Sequence, residues 1–321
     1  MVHDLAFADE SLKTAADTLA DDGQARPALD LIAGAADVHR REHAVSVLGA
    51  AGAGRLEELR ELTRQRAYHG ERWLLLGAAL AAAAWEARGS GRRARTRDRE
   101  VDRRIQRQQQ LVAEARGALR QAAALGRDDA VPWSELTGVV LAAPQHPSEP
   151  DDVFRRAVVL GNDLYRAHTR HLVTLSGKWY GNQDKVLAFA RLRAQDRPDG
   201  HPLHALIALA HLEGYVEGVL HGNLVGRFWR AWRYFADGAI RREVDAAADR
   251  LLAGADEYAQ HPWTMSAHQA FAALYHQAGD AHRARTHLEL SGDRAAVWPW
   301  RYFGDHEKQF ASARRAVGLT P

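Results

Sequence analysis

Helical periodicity runs through the whole 321-residue sequence and constrains the fold more than any other feature. Apolar or small residues recur at intervals of three and four, whereas alternating β-branched runs joined by Asn-Gly or Asp-Gly turns are nearly absent. Short breaks rich in Gly, Pro and Asp, such as 146–150 and 197–202, separate the helical segments. We therefore predict an all-α protein, with helices at 5–20, 26–36, 38–51, 55–66, 71–88, 104–125, 133–142, 151–160, 163–176, 183–196, 203–218, 226–236, 239–253, 264–278, 281–290 and 306–317.

Three stretches carry the spacing of a helical hairpin. In "FAALYHQAGDAHRARTHLELS" (271–291), small residues are placed so that two antiparallel helices touch, and large ones fill the gap between them. "WLLLG" (73–77) and "WSELTGVV" (133–140) have the opening of such a hairpin. These stretches resemble tetratricopeptide repeats, which form one hairpin per about 34 residues. The resemblance implies an irregular tetratricopeptide-like α-solenoid of stacked antiparallel helical hairpins, because the other segments do not fit the frame well.

A second, looser resemblance covers much of the chain. Residues 168–191 are similar to a stretch of uncharacterised, tetratricopeptide-like helical proteins of actinobacteria, and "WPWRYF" (298–303) is similar to their terminal segment. This resemblance implies an all-helical fold and no known activity. We expect a single helical-repeat domain over 1–321, with two lobes as an option.

The break at 144–150 is where two lobes would meet. The N-terminal lobe would then cover 1–145 and carry an arginine-rich insertion at 88–104, and the C-terminal lobe would cover 150–321. Such a stack of hairpins presents a long concave surface that usually holds a peptide or a partner domain.

Composition removes several classes of site. The chain has no cysteine, which excludes disulfides, thiolate zinc sites, iron–sulfur clusters and cysteine nucleophiles. The start of the sequence lacks the basic and apolar regions of a secretory signal, and the longest apolar run, 74–85, is shorter than the ~20 residues that a membrane span needs. We expect a cytoplasmic protein with no membrane partner, and the abundance of arginine and alanine fits a bacterial, GC-rich genome.

The most charged segment is residues 88–107, which contain nine arginines together with Asp98, Glu100 and Asp102. One interpretation is an arginine arm that binds nucleic acid or an acidic protein. The other is a solvated insertion within a hairpin, which we favour because no aromatic residue is interleaved and the acids cancel part of the field. The formal net charge of only +2 also makes nucleic acid the least favoured partner.

An aromatic motif occurs twice, as "WRYFAD" (232–237) and "WRYFGD" (300–305). Each aspartate precedes a predicted helix, where its carboxylate would accept hydrogen bonds from the first turn. We interpret the second copy as a joint of the fold. The first copy has extra tryptophan and arginine, the residues that dominate binding hot spots, so we predict a ligand or partner groove with the residues Arg227, Trp229, Arg230, Arg233 and Tyr234.

The loop "KWYGNQD" (178–184) is a second candidate for the same groove. Lys178, Trp179 and Tyr180 would line it if successive hairpins stack in order. Gly181 and Asn182 suit left-handed backbone conformations, and Asn182 or Asp184 would cap the next helix. The alternative is that the two rings only plug the joint between helices.

Histidine pairs at a spacing of three residues raise the question of a metal or a catalytic site. His168 and His171 form one pair and His201 and His204 the other, but no H-E-x-x-H motif occurs. We expect no metal and no cofactor, because histidines packed between helices are the commoner outcome. The standard hydrolase, P-loop and dinucleotide-binding motifs are absent as well.

The leading functional hypothesis is a non-catalytic scaffold or adaptor that binds a protein or an extended peptide, including another copy of itself. An acidic, aromatic-tolerant ligand would suit the predicted groove. The alternative is an enzyme that acts on a small molecule in a pocket lined by His, Trp and Tyr. That enzyme would use His168, His171 and Tyr165 as acid–base groups.

Overall fold

In a computed structural model, which describes residues 9–88, 99–220 and 233–320, the chain is helical along its length. α-Helices and short 3₁₀ turns joined by loops make up these ranges, and they contain no β-strand. The all-α prediction is confirmed. Within the same ranges, no helix combines the length and the apolar character needed to cross a membrane.

The chain divides into two compact units, with the boundary between His171 and Leu172. The helices up to this boundary are α1 Glu10–Asp22, α2 Arg26–Ala33, α3 Val38–Ala51, α4 Leu56–Gln65, α5 Gly70–Arg88, α6 Arg99–Leu125, α7 Val131–Ala142, α8 Glu149–Leu160 and α9 Tyr165–Thr174, which carries the boundary. Unit 2 continues with α10 Gln183–Ala194, α11 Ala205–Leu220, α12 Gly238–Ala253, α13 Thr264–Ala278, α14 Ala281–Leu290 and α15 His306–Ala316.

Helices α5 and α6 form a close hairpin in unit 1. A Cβ atom added to Gly77 would lie only 2.6 Å from Leu119 Cγ, so the glycine allows the two backbones to approach. Ala115 and Ala122 on α6 are buried at the same seam. The helix that contains "WLLLG" therefore pairs with α6. Helix α6 begins earlier than predicted, so residues 99–104 of the predicted insertion are helical.

Unit 1 also contains a buried ionic network that links α3, α7 and α9. Glu42 accepts hydrogen bonds from Ser134 Oγ and from the backbone N–H of Arg166, the latter at 3.2 Å. Glu135 lies 3.3 Å from Arg166 Nε and 3.0 Å from Arg170 Nη2. Burial raises the pKa of Glu42. Burial opposes the charge of Glu135 too, but Arg170 and Arg166 outweigh it and hold its pKa below the ordinary value.

The segment 144–150, where the sequence predicted a junction of lobes, lies inside unit 1. The buried Glu149 accepts a hydrogen bond from the N–H of Gln145 at 2.6 Å and pairs with Arg116 at 3.2 Å and Arg120 at 3.1 Å. These contacts attach the segment to α6. The observed division of the chain therefore comes later, within α9.

Side-chain caps start four helices of unit 2. Asn182, Asp237, Asp280 and Asp305 each accept a hydrogen bond from a first-turn amide, at 2.7–3.1 Å. Such caps satisfy amides that have no partner within the helix. The predicted capping roles of Asp237 and Asp305 are confirmed. Helix α13 ends at Gly279, whose φ of +75° suits a residue without a Cβ.

Candidate binding site around helix α11

The second copy of the aromatic motif is a joint of the fold, as the sequence predicted. Trp300 is fully buried, and its Nε1–H donates to Gln269 Oε1 at 3.0 Å. The same oxygen accepts from the backbone N–H of Ala296 at 2.7 Å, and the Gln269 amide donates to the carbonyl of Arg294 at 2.7 Å. The buried amide of Gln269 thus holds the segment before α15 in place.

The first copy is divided between core and surface. Phe235 is buried, Tyr234 is half-buried and Arg233 is exposed. The remaining predicted residues of this copy (Arg227, Trp229 and Arg230) lie outside the described residues. Arg233 and Tyr234 are therefore the two that the structure places.

Both copies meet at Tyr215 of α11. The Tyr215 ring stacks on Phe235 with a centroid distance of 4.9 Å, and it lies 6.2 Å from Tyr234 and 6.3 Å from Phe303. Aromatic pairs at these distances attract one another in edge-to-face and offset geometries. One side chain of α11 therefore joins two motifs that are far apart in sequence.

The loop 178–184 joins the same cluster through its lysine. Lys178 Nζ lies 2.7 Å from Glu213 Oε2 and 4.7 Å from the centroid of the Tyr302 ring. The Tyr302 ring in turn lies 3.9 Å from that of Trp298. The lysine is thus held by a carboxylate and by an aromatic face, two favourable environments for an ammonium group. We call Lys178, Glu213, Tyr215, Tyr234 and Tyr302 the α11 cluster.

Glu213 is the buried charge of this cluster, with 1% of its surface exposed. Burial raises the pKa of its carboxyl, Lys178 opposes this rise, and the neighbouring Glu217 adds to it. Its Oε1 atom has no hydrogen-bond partner among the residues that the structure describes. The carboxylate is therefore held by one ion pair, without the hydrogen bonds that usually accompany a buried charge.

A chain of hydrogen bonds through His211 orients Tyr234. Its hydroxyl lies 3.1 Å from His211 Nδ1, and His211 Nε2 lies 3.2 Å from Glu243 Oε2. Burial lowers the pKa of His211, whereas hydrogen bonds from Arg191 at 2.6 and 2.8 Å lead the lowering of the pKa of Glu243. From this network we assign the His211 proton to Nε2, which donates to Glu243, so that Nδ1 accepts from Tyr234. Tyr234 is held in place rather than activated, since burial raises its pKa.

Gly214 makes this packing possible. A Cβ atom at Gly214 would lie 2.5 Å from Gln183 Nε2 and 2.7 Å from Tyr234 Oη. Only glycine leaves room for both groups against α11. Gln183 uses the space to donate from Nε2 to the Ala210 carbonyl at 3.0 Å.

The loop itself differs from the prediction in its backbone. Asn182 has an extended conformation, with φ −156° and ψ 173°, and caps α10 through its side chain. Gly181 is not among the glycines with positive φ. A Cβ atom there would lie 2.0 Å from the Leu175 carbonyl oxygen, so the glycine serves a close backbone approach. The capping prediction is confirmed for Asn182, and the left-handed prediction is wrong for both residues.

The aromatic residues of the loop lie at the surface. Tyr180 is 46% exposed, and its ring centroid is 6.3 Å from that of the partly exposed Trp179. Trp298, beyond Tyr302, is 38% exposed. Exposed rings therefore follow Lys178 in the loop and contact Tyr302 of the cluster.

The histidine pairs are part of the packing. The His171 ring stacks on Phe154 at 4.1 Å and the His168 ring meets it edge-on at 5.2 Å, while His168 Nδ1 lies 2.7 Å from the Leu164 carbonyl. Tyr165 is buried in the same unit. No group of three potential ligands among the described residues could hold a metal ion.

The other pair shapes the entry to α11. His201 Nδ1 accepts from the N–H of Leu203 at 3.1 Å, and His204 Nε2 donates to the Pro198 carbonyl at 2.8 Å. Burial lowers the pKa of His204 to about 4, so this ring is neutral at pH 7. Both rings therefore hydrogen-bond to the backbone of the segment that precedes α11.

Sequence reasoning missed the residues that bring the motifs together. Glu213 and Tyr215 were not predicted as site residues, and Tyr302 was included only in the motif copy that we interpreted as a joint of the fold. A signal existed for Glu213, because it is an acid within the largely apolar helix α11. Tyr215 has no such signal, since its role depends on which helices pack around it.

No protein-family model matches the sequence, and no curated protein is similar to it. The tetratricopeptide resemblance therefore stays a prediction from the motifs. The geometry of the α11 cluster is the basis on which a function is proposed.

Proposed function

We propose that this protein is a non-catalytic scaffold that binds a peptide or a partner protein on the surface of unit 2 around the α11 cluster. The observation that carries the proposal is the convergence of three aromatic motifs on α11, with ring surface left exposed beside them. Tyr180 and Trp298, at 46% and 38% exposure, flank Lys178 and Tyr302. Rigid aromatic surface of this kind is typical of binding hot spots.

The charge of the surface around the α11 cluster favours an acidic ligand. The charge of Lys178 is offset by Glu213, so this lysine contributes little net field. Arg233 and Arg301 stand next to the motif tyrosines, are exposed, and form no ion pair with a described residue. A peptide with carboxylates beside an aromatic or aliphatic side chain would complement this surface.

Hairpin packing supports a helical-repeat scaffold. Helices α5 and α6 are in contact at Gly77, and small residues likewise allow the two helices of a repeat hairpin to touch. In the α13–α14 pair, His287 stacks on Phe271 at 5.1 Å and on Tyr275 at 5.8 Å, with both rings at positions that the motif expects to be large. An irregular, tetratricopeptide-like solenoid is the arrangement that we propose for these hairpins.

Native mass spectrometry of the protein purified from its own host tests the proposal. We expect a co-purified peptide or protein on the wild type, and its loss from the double variant Tyr180→Ala/Trp298→Ala. The matched control is Tyr68→Ala, because Tyr68 is 90% exposed and lies in unit 1. A stoichiometric metal or small molecule in place of a polypeptide, retained by both variants, would contradict the scaffold and favour an enzyme.

A further inference from the structure

A second site lies in unit 1, in a cleft of 420 Å³ between α5 and α6. Its floor is apolar and consists of the side chains of Ala53, Ala83, Ala87 and Leu111. Three arginines of α6 and one glutamate of α5 form its rim: Arg103, Arg104, Arg107 and Glu86. The cleft therefore combines an aliphatic surface with a concentration of positive charge on one side.

None of the three arginines forms an ion pair with a described residue. Arg104 points its guanidinium at the carbonyls of Ala87 and Arg88, at 3.4 and 3.5 Å, where α5 ends. Arg103 and Arg107 are exposed and form no ion pair with a described residue. They are one helical turn apart, a spacing at which like charges destabilise a helix. An anionic group placed between them would remove this repulsion.

Several other arginines of unit 1 pair with a carboxylate of the same unit. Arg60 makes a bidentate pair with Glu114 at 2.6 Å, and the buried Arg116 pairs with Glu149 at 3.2 Å. Arg103 and Arg107 differ from these two arginines, because no carboxylate of a described residue pairs with them. Guanidinium groups bind carboxylates with two parallel hydrogen bonds, which makes a carboxylate a suitable ligand.

We infer that this cleft binds an acidic peptide segment of a partner protein. One aliphatic side chain of the segment lies on the alanine and leucine floor, and flanking carboxylates pair with Arg103 and Arg107. The shape and lining disfavour nucleic acid, because no aromatic residue lines the cleft for base stacking. The site is independent of the α11 cluster, since its residues all belong to unit 1.

Fluorescence anisotropy with the full-length protein tests this inference. The probe is a fluorescein-labelled peptide of glutamate pairs separated by leucines. We expect the double charge reversal Arg103→Glu/Arg107→Glu to weaken its binding at least tenfold. Ala87→Phe, which fills the floor but keeps every charge, should weaken it to a similar degree. Circular dichroism confirms that each variant is folded.

The control variant, Arg26→Glu/Arg64→Glu, makes the same charge change at two exposed arginines of unit 1. It should bind the probe as the wild type does. Equal weakening by the control, or full binding by Ala87→Phe, would show a general charge effect and overturn the site. Absence of probe binding to the wild type, or tighter binding of a single-stranded oligonucleotide of equal charge, would also overturn it.

Discussion

The histidine pair between α13 and α14 should make unit 2 sensitive to acid. His268 Nδ1 lies 2.9 Å from His287 Nδ1, and both side chains are buried. Burial lowers the pKa of His268 from 6.5 to about 4, and it lowers that of His287 as well. A hydrogen bond between two Nδ1 atoms needs one donor and one acceptor, and the lowered pKa values keep both rings neutral at pH 7.

The sign and size of the effect follow from linkage. Because the folded pKa lies below the unfolded one, the unfolded chain binds more protons between pH 6.5 and pH 4, and stability is lost as the pH falls through this window. For His268 alone, these two pKa values give a loss of about 2 kcal/mol at pH 5 and about 3 kcal/mol at pH 4. The loss is complete below the folded pKa.

Hydrogen exchange of α13 measures this loss within unit 2. After correction for the intrinsic exchange rate, the opening equilibrium of α13 amides should rise about 20-fold between pH 7 and pH 5. The variant His268→Asn keeps a polar atom at the position of Nδ1 but does not titrate. It should remove most of the change, whereas His282→Asn, at an exposed histidine of α14, should not. If His268→Asn retains the full pH dependence of the wild type, the reasoning is refuted.

Three further substitutions test the packing. Gly77→Val places a side chain against Leu119 and should destabilise unit 1 by about 1–3 kcal/mol, seen as a lower thermal midpoint by circular dichroism. Gln269→Leu leaves the Trp300 indole N–H without an acceptor and should cost about 1–3 kcal/mol, with a shift in tryptophan fluorescence as a local readout. Asp237→Ala removes the cap of α12 and should cost ~1 kcal/mol in urea denaturation, whereas the asparagine variant should keep most of this stability.

The sequence predicted the helices well because their signals are local. The segments at 264–278 and 281–290 match α13 and α14 to the residue, and the caps Asp237 and Asp305 were identified from the turn that precedes each helix. Apolar spacing, capping residues and glycine all act within a few positions along the chain. Prediction failed where a residue is determined by a neighbour in space. At Gly181, glycine is needed because a carbonyl lies too close for a Cβ atom, and its φ is not positive.

The candidate site was predicted only in part for the same reason. Lys178 and Tyr234 were selected as unusual residues, and both contact groups on α11. Their partners Glu213 and Tyr215 belong to the face of a helix that looks like ordinary core in sequence. No local sequence pattern predicts that two distant motifs will pack on one tyrosine, because this packing depends on which helices pair.

Glu213 and the buried carboxylates of unit 1 differ in the number of polar groups that compensate their burial. In unit 1, Glu42 accepts two hydrogen bonds, although burial still raises its pKa, and Glu135 faces two guanidinium groups that hold its pKa below the ordinary value. Glu213 has a single ammonium partner, Lys178, and one carboxylate oxygen without a hydrogen bond among the described residues. A buried charge with incomplete compensation costs stability, and such costs concentrate at functional sites. The incomplete compensation of Glu213 is therefore one observation that favours the binding site proposed around the α11 cluster.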